Sequence, residues 1–311
     1  MRDTTREIFE NYEIRKTKKQ RQRFRDWLTS YAESQGYAAK VEKVSKSASN
    51  VVVGDPAKAD VIYTAHYDTC AVMPLPNFIT PKCFPIYLIY QLVMTAILFI
   101  VPITVMFILA PMVLKQTGSE SIYMAMLIGG YALLIGILML MLRGPANKHT
   151  ANDNTSGVTL LVDIMTDMPT EMRGKVAYIF FDAEELGTVG SKIYRKQHPT
   201  VAKTKPVINF DCVSDGKNIL FTAKKSAQSL APKLEEAFRS NDTFSVEVAT
   251  KGVFYPSDQR NFTLGVGVAA LRKTKGGLLY MNKIHTPRDT VYDEENIEFL
   301  KCGAIELVKI I

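Results

Sequence analysis

Two long apolar stretches dominate the pattern of hydrophobic and polar residues. Residues 84–114 contain no charged side chain, and residues 122–142 are also uncharged and almost wholly apolar. Both exceed the ~18 residues that mark a candidate membrane span, and only a short polar loop separates them. They predict an inserted two-helix transmembrane hairpin over residues 83–143, with both outer ends on one side of the bilayer. Pro102 and Pro111 are expected to kink or shorten its first helix.

The alternative interpretation is a pair of helices buried in the protein core. Core helices usually carry a polar stripe, and neither stretch has one, which favours the membrane. Small residues at four-residue spacing, Ala125 with Gly129 and Ala132 with Gly136, predict a close contact between the two helices.

The charges that flank the hairpin predict its orientation. Lys82, Arg143 and Lys148 lie at the outer ends, against Lys115 alone in the connecting loop. By the positive-inside tendency, everything except the short loop is expected in the cytoplasm. The first residues lack the apolar core of a signal peptide, which agrees with this orientation. The sequence therefore predicts a multi-pass membrane protein with two spans and the rest of the chain in the cytoplasm.

Outside the hairpin, short β-rich runs alternate with helical patterns. The predicted strands are residues 50–54, 60–66, 175–182, 206–211, 218–223 and 266–271. The predicted helices are residues 156–168, 190–197, 226–240 and 293–311. This alternation is typical of an α/β domain with a largely parallel sheet. We expect residues 1–82 and 144–311 to form one catalytic domain that the hairpin interrupts.

A basic segment, residues 13–25, contributes strongly to the formal net charge of +7. With Phe24, Trp27, Leu28 and Tyr31 in or just beyond it, this segment is expected either to lie against anionic lipid or to form a solvated helix face. No recognisable nucleic-acid-binding motif accompanies it, so no nucleic-acid partner is expected.

The cysteines argue against two kinds of stabilised scaffold. Cys70, Cys83, Cys212 and Cys302 form no C-x-x-C pair, so neither a zinc ribbon nor a disulfide framework is indicated. Buried reduced thiols are the favoured interpretation.

Acidic residues and a histidine follow the predicted strands. His66 and Asp68 follow one strand, Glu184 and Glu185 follow another, and Asp211 ends a third. Ligands of open α/β sheets bind beyond the carboxyl ends of the strands. Each residue alone is more typical of a structural histidine or a helix cap. Together they form a mixed nitrogen and oxygen ligand set that suits zinc and, with more oxygen, manganese or cobalt.

Two chemical roles explain the local spacing of these residues. In the pair Glu184 and Glu185, one carboxylate can bind a metal while its neighbour takes the proton of the water that attacks a carbonyl. A solvated acidic pair at a helix start is the alternative. Because His66 and Asp68 are two residues apart, Asp68 is expected to accept a hydrogen bond from the imidazole and hold its metal-binding tautomer.

Five motifs resemble, in order, those of the co-catalytic zinc aminopeptidases of metallopeptidase family 28, the group of bacterial leucyl aminopeptidase and aminopeptidase Y. They are AHYDT, ANDNTSGV, FFDAEELGTVGS, NFDCV and HTPRDT, and they cover roughly residues 50–80 and 145–311. The resemblance implies a zinc-exopeptidase-like, mixed and largely parallel sheet flanked by helices. It also implies two zinc ions and removal of N-terminal residues from short peptides.

The resemblance also implies a set of metal ligands. Asp153 would bridge the two zinc ions, His66 and Asp211 would complete one metal site, and Glu185 and His285 would complete the other.

The resemblance also implies roles for Glu184 and Asp68, and this sequence differs from the family's pattern in two places. Glu184 would be the general base, with Asp68 behind the first histidine ligand, and the Asp153–Asn154 peptide bond would be cis. Relatives join the first two motifs by a short loop, whereas here the hairpin must leave beside the active site and return to it. Gln259 stands where many relatives have histidine, which affects the expected substrate contacts and not the metals.

The sequence thus predicts a membrane-tethered, zinc-dependent aminopeptidase whose partners are peptides with a free N-terminus and, through residues 84–142, a lipid bilayer. A glutaminyl-cyclase-like aminoacyltransferase, from a related group that uses a single zinc, is the first alternative. A non-catalytic membrane receptor or scaffold is the second, although such relatives typically lose ligands or the base. Side-chain preference, the exact metal and the oligomeric state are not predicted.

Overall fold

The computed structural model describes residues 1–73 and 75–311. The helices in this part of the chain are α1 (Asp3–Tyr12), α2 (Lys18–Ser34), α3 (Phe84–Thr104), α4 (Ala110–Thr117), α5 (Glu120–Arg143), α6 (Gly157–Asp167), α7 (Val189–Gln197), α8 (Pro199–Thr204), α9 (Ala231–Ala237) and α10 (Glu294–Ile310). The strands are β1 (Ala39–Lys43), β2 (Ser49–Val53), β3 (Val61–His66), β4 (Val176–Phe181), β5 (Pro206–Phe210), β6 (Asn218–Ala223), β7 (Ser245–Ala249), β8 (Leu264–Lys273) and β9 (Leu279–Tyr280).

The described strands form one mixed sheet in the order β1-β2-β4-β3-β5-β8-β6-β7, with β9 paired to β8. The central neighbours β4, β3, β5 and β8 run parallel, whereas β1 with β2, β2 with β4, and β6 with β8 are antiparallel. Because the central strands are parallel, their carboxyl ends meet at one edge of the sheet. The predicted α/β fold with a largely parallel centre is therefore confirmed.

Alternating side chains along the central strands bury both faces of the sheet. Tyr63 and Tyr178 point to one face, where the Tyr63 hydroxyl donates to the carbonyl of Ala304 in α10 at 2.6 Å. Ile62 and Ile179 point to the other face and pack in a cluster that includes residues of α7 and α8. Strands that are buried on both faces have continuous apolar sequences, and these strands could therefore be predicted from the sequence.

The basic segment packs against the α/β domain, so both sequence interpretations are wrong for three of its four arginines. Arg15, Arg21 and Arg25 are buried, and the last two pair with the buried carboxylate of Asp182 at 3.0 and 3.4 Å. Phe24 and Leu28 of α2 lie in the core and do not face lipid. The reason is that α2 buries one face on the sheet, and the arginines on that face reach internal acceptors.

The apolar insert forms a helical hairpin. Its first arm runs through α3, a π-helical turn (Val105–Leu109) and α4, so the arm continues past both Pro102 and Pro111. Its second arm is α5. Only 11% of the most apolar window of the first arm and 6% of that of the second is buried. These described helices are therefore not core helices of this chain, and both are long and apolar enough to span a membrane.

The close contact inside the hairpin involves a different glycine from those predicted. A Cβ at Gly130 would meet the Cγ of Met106 at 2.3 Å, whereas one at Gly129 or Gly136 would meet no described atom within 4 Å. Met106 and Ala110 of the first arm are buried at this contact. The spacing of small residues indicated that α5 packs against a helix. Which face of α5 makes the contact could not be predicted without the position of the first arm.

Candidate metal centre

The ends of β3 and β5 meet the loop before α6 in a first cluster of potential ligands. The Nε2 atom of His66 lies 3.3 Å from Oδ1 of Asp153 and 3.5 Å from Oδ1 of Asp211. All three side chains are buried. The residues predicted for one metal site are thus brought together.

A second cluster lies on the other side of Asp153. The Nε2 atom of His285 lies 2.9 Å from Oδ2 of Asp153 and 3.3 Å from Oε2 of Glu185. Asp153 therefore presents one carboxylate oxygen to each cluster. This arrangement places the predicted bridging residue between the two predicted sites.

Two side chains hold the loop that carries Asp153. The carboxylate of Asp289 accepts hydrogen bonds from the backbone N–H groups of Asn152 and Asp153, at 2.9 and 3.0 Å. Asn154 Oδ1 accepts from the N–H of Gly157 at 3.0 Å, and the Asp153–Asn154 peptide bond is cis, which confirms that expectation. The loop geometry is thus fixed by contacts from distant parts of the chain.

Glycine is required at the start of α6. A Cβ at Gly157 would lie 2.4 Å from the carbonyl oxygen of Phe210 and 2.5 Å from Oδ1 of Asn154. Since backbone and a bonded amide cannot move aside, a larger residue would push the loop of Asp153 away from the end of β5.

Several residues around the centre adopt left-handed backbone conformations without being glycine. Ala183, Cys212 and His285 have φ angles of 57°, 59° and 60°. Each such residue costs about 1–3 kcal/mol, and such strain clusters at functional sites. The three positions lie beside or within the two clusters.

Asp68 supports the centre differently from the sequence prediction. Its carboxylate accepts hydrogen bonds from the backbone N–H groups of Glu184 and Glu185, at 2.9 and 3.2 Å. The Nδ1 atom of His66 instead faces the backbone carbonyl of Asp68 at 3.1 Å, with the carboxylate at 3.7 Å. Asp68 therefore orients the imidazole through its main chain and the glutamate pair through its side chain.

Arg15 is a supporting residue that the sequence analysis missed. Its guanidinium is fully buried and donates to the carbonyl of Tyr67 at 2.5 Å and to the Thr155 hydroxyl at 3.0 Å. Burial lowers the pKa of Arg15 to about 10. These bonds tie the loop after β3 to the loop of Asp153. Only the concentration of arginine in the basic segment could have signalled it.

Gln259 is engaged by the protein. Its side chain is buried, its Oε1 accepts from Nδ2 of Asn209 at 3.2 Å, and its Nε2 donates to the carbonyl of Tyr255 at 2.7 Å. The amide that replaces the histidine of many relatives thus joins β5 to the loop before β8.

The electrostatics of the centre fit a divalent cation. Burial raises the pKa of Glu184 well above its ordinary value and that of Glu185 to about 8, against the histidines nearby. Burial opposes ionisation of Asp153 too, but hydrogen bonds from His285 and His66 lower its pKa. Among the described residues, Oε1 of Glu185 is buried without a hydrogen-bond partner. Buried carboxylates crowded in this way need positive charge, and carboxylate with imidazole is a typical zinc ligand set.

A cavity of about 470 Å³ joins the centre to the hairpin. Glu185 and His285 line its inner end, and Met141, Leu142 and Arg143 at the end of α5 line its outer part. The hairpin leaves and returns here, because Ala71 pairs with Ala146 in an antiparallel bridge. The predicted position of the insert beside the centre is therefore confirmed for the described residues.

Comparison with known proteins decides the family. The sequence profile of peptidase family M28 matches residues 139–307, which is more than half of the chain. The chain belongs to peptidase family M28. Membership of M28 supports a zinc-dependent peptidase, in agreement with the ligand set. No curated protein sequence matches the chain.

Solved structures share the M28 fold at low sequence identity. The LapA aminopeptidase of Legionella pneumophila is 15% identical, with a TM-score of 0.56 over 98% of this chain and 69% of that one. A Zn-dependent exopeptidase from Parabacteroides distasonis is 16% identical, with a TM-score of 0.57 over 98% and 97%. The glutaminyl cyclase of Porphyromonas gingivalis is also 16% identical, with a TM-score of 0.57 over 98% and 94%. These likenesses confirm a zinc-exopeptidase-like fold.

Proposed function

We propose that this M28 protein is a membrane-tethered aminopeptidase that removes N-terminal residues from short peptides with two zinc ions. The observation that carries the proposal is the position of Asp153, whose two oxygens face two ligand clusters. Glu184 directly precedes the ligand Glu185 in the chain. His66 and Asp211 would hold one ion, and Glu185 and His285 the other. Manganese or cobalt would also suit these ligands.

The reaction would depend on a few side chains of this chain. Two bound zinc ions would supply Lewis acidity that activates a water and polarises the scissile carbonyl. Glu184 would take a proton from the attacking water and return it to the leaving amine. The carboxylate of Asp68 would fix the backbone of Glu184 and Glu185 and so the distance between base and ligand. Asp289 would hold Asp153 between the two sites.

The hairpin would anchor the catalytic domain at the cytoplasmic face of a membrane. The proposal rests on the length, hydropathy and exposure of its two arms and on the flanking Lys82, Arg143 and Lys148. Residues 1–82 and 144–311 would then form one catalytic domain with an inserted membrane segment at 83–143. The oligomeric state does not enter the proposal.

The cavity between the centre and the hairpin supports a second role for the insert. Its outer part combines the apolar side chains of Met141 and Leu142 with the charges of Lys16 and Arg143. A peptide whose first side chain is apolar would bury it against these residues, at the level where α5 would leave the bilayer. Substrates would therefore enter from the membrane surface.

Glutaminyl cyclase chemistry is the alternative function, and similarity of fold supports it. The fold is similar to that of a glutaminyl cyclase, and that chemistry needs one metal site, which either cluster would provide. The bridging position of Asp153 favours two ions and hence the peptidase. A non-catalytic receptor would not need the base, and this chain keeps a glutamate at position 184.

The proposal predicts stepwise shortening of peptides. Detergent-purified full chain with zinc would be incubated with a mixed pool of peptides that have free, acetylated or glutamine-first N-termini, and the products would be read by mass spectrometry. We expect loss of successive residues from free N-termini alone, fastest for apolar first residues, because Met141 and Leu142 line the outer part of the cavity.

Other products would contradict this reading in different ways. Internal or carboxyl-terminal cleavage would keep the metal chemistry and overturn the exopeptidase direction. Loss of ammonia from glutamine-first peptides alone would replace the peptidase by a cyclase. Unchanged peptides with metal bound would favour the non-catalytic receptor.

A further inference from the structure

A thiol lies in the second ligand cluster. The sulfur of Cys70 and one ligand atom each of Glu185 and His285 all lie within 4.8 Å of one another. Cys70 is buried, and it also lines the cavity that leads to the centre, so an ion can reach it. In the same cluster, Oε1 of Glu185 is a buried oxygen without a hydrogen-bond partner among the described residues. Cys70 thus joins the two residues that would complete the second metal site, and His285 links this group to Asp153 at 2.9 Å.

Residues 70–71 and 146–147, which meet at the base of the hairpin, fix the position of this thiol. The carbonyl of Cys70 accepts a hydrogen bond from the N–H of Asn147 at 3.2 Å, and the next residue, Ala71, pairs with Ala146. The side chain of Asn147 donates to the carbonyl of Thr286 at 3.0 Å, next to His285. The base of the hairpin therefore holds Cys70 and His285 in one hydrogen-bonded unit.

The distances suit a shared ion. Ligand atoms around a tetrahedral zinc lie about 3.3–3.7 Å apart, given zinc–ligand bonds of 2.0–2.3 Å. His285 already lies 2.9 Å from Asp153 and 3.3 Å from Glu185. The Cys70 sulfur lies within 4.8 Å of the ligand atoms of Glu185 and His285.

We propose that Cys70 is a thiolate ligand of the second metal site, a fourth protein donor beside Asp153, Glu185 and His285. The inference rests on the two-metal centre proposed above. Binding of the ion would release the thiol proton to solvent. The other site, with His66, Asp211 and Asp153, has only three protein donors and keeps a position for water, as catalytic zinc sites do.

The inference makes the two sites unequal and restricts the metal. A site with four donors, one of them sulfur, holds its ion more tightly than a site with three donors, and it selects zinc or cobalt over manganese.

Cobalt spectroscopy tests the sulfur ligand without using activity. Metal-free full chain in detergent would be titrated with Co²⁺, and the near-ultraviolet thiolate-to-cobalt charge-transfer band would be recorded together with the visible bands. We expect the band in the wild type and in Cys302→Ser, whose cysteine is exposed, and its loss in Cys70→Ser. Cys70→Ser should also weaken the binding of one of the two zinc ions by at least about 10- to 100-fold.

A second measurement needs no variant. X-ray absorption of the zinc-loaded wild type should show a sulfur neighbour at about 2.3 Å. Two cobalt ions bound without a thiolate band would overturn the inference and leave the proposed function standing. A band lost in Cys212→Ser but kept in Cys70→Ser would assign the sulfur to the other site and overturn it as well. No bound cobalt at all would overturn both the inference and the proposed two-metal function.

Discussion

Replacing Glu184 by glutamine should abolish nearly all peptide hydrolysis while leaving the metals in place. Glutamine keeps the shape of the side chain but cannot accept a proton from the attacking water, so we expect kcat to fall by about 10²–10⁴-fold or more. The zinc content per chain should stay unchanged, because the ligands His66, Asp153 and Glu185 are not altered. Initial rates on a free-N-terminus peptide and metal analysis of the same sample would measure both quantities.

A matched control separates charge loss from the loss of the base. Glu235→Gln removes one carboxylate from the exposed surface of α9 and should leave kcat unchanged. If Glu184→Gln kept wild-type rates, another group would have to serve as the base. If the variant lost its zinc, the assignment of Glu184 as a residue that binds no metal would be wrong.

If the hairpin is the proposed membrane anchor, its removal should yield a soluble enzyme. The variant lacks residues 84–142, and a short glycine-serine linker joins the two ends. The full chain should stay in the membrane pellet after an alkaline wash, whereas the variant should move to the supernatant, because the two exposed apolar arms provide the anchor. Because Met141 and Leu142 are lost as well, kcat/KM for apolar-first peptides should fall about tenfold or more.

A full-length variant distinguishes anchoring from substrate contact. Met141→Ser with Leu142→Ser keeps both arms of the hairpin and should stay in the pellet, but it should show the same selective loss on apolar-first peptides. Equal activity of the deletion variant on every substrate would make the hairpin only an anchor. A full chain that leaves the membrane in the alkaline wash would refute the membrane assignment itself.

The central strands and their ligands could be predicted because their patterns are local. Strands β2 to β6 and β8 are buried runs that the sequence marks directly, and parallel order then brings their carboxyl ends together. His66 and Asp211 met for that reason. By contrast, β1 and β7 are partly exposed edge strands in which charged residues interrupt the apolar pattern, and the sequence analysis missed both.

Contacts between distant loops could not be predicted. Asp289 bonds the backbone of Asp153, and Arg15 bonds the carbonyl of Tyr67, but neither contact produces periodicity or spacing in the sequence.

The burial of the cysteines was also only partly predictable. Cys70 and Cys212 are buried as expected, whereas Cys302 is exposed, since its place on the outer face of α10 depends on packing.

Metal positions test the central claim most directly. Diffraction data from zinc-loaded crystals of the full chain, collected at the zinc absorption edge, would locate each ion by its anomalous signal. The two-metal centre predicts two peaks about 3.5–4 Å apart, one on each side of the Asp153 carboxylate. A single peak would contradict it and favour the one-zinc chemistry of a cyclase, and no peak at Asp153 would remove the metal centre altogether.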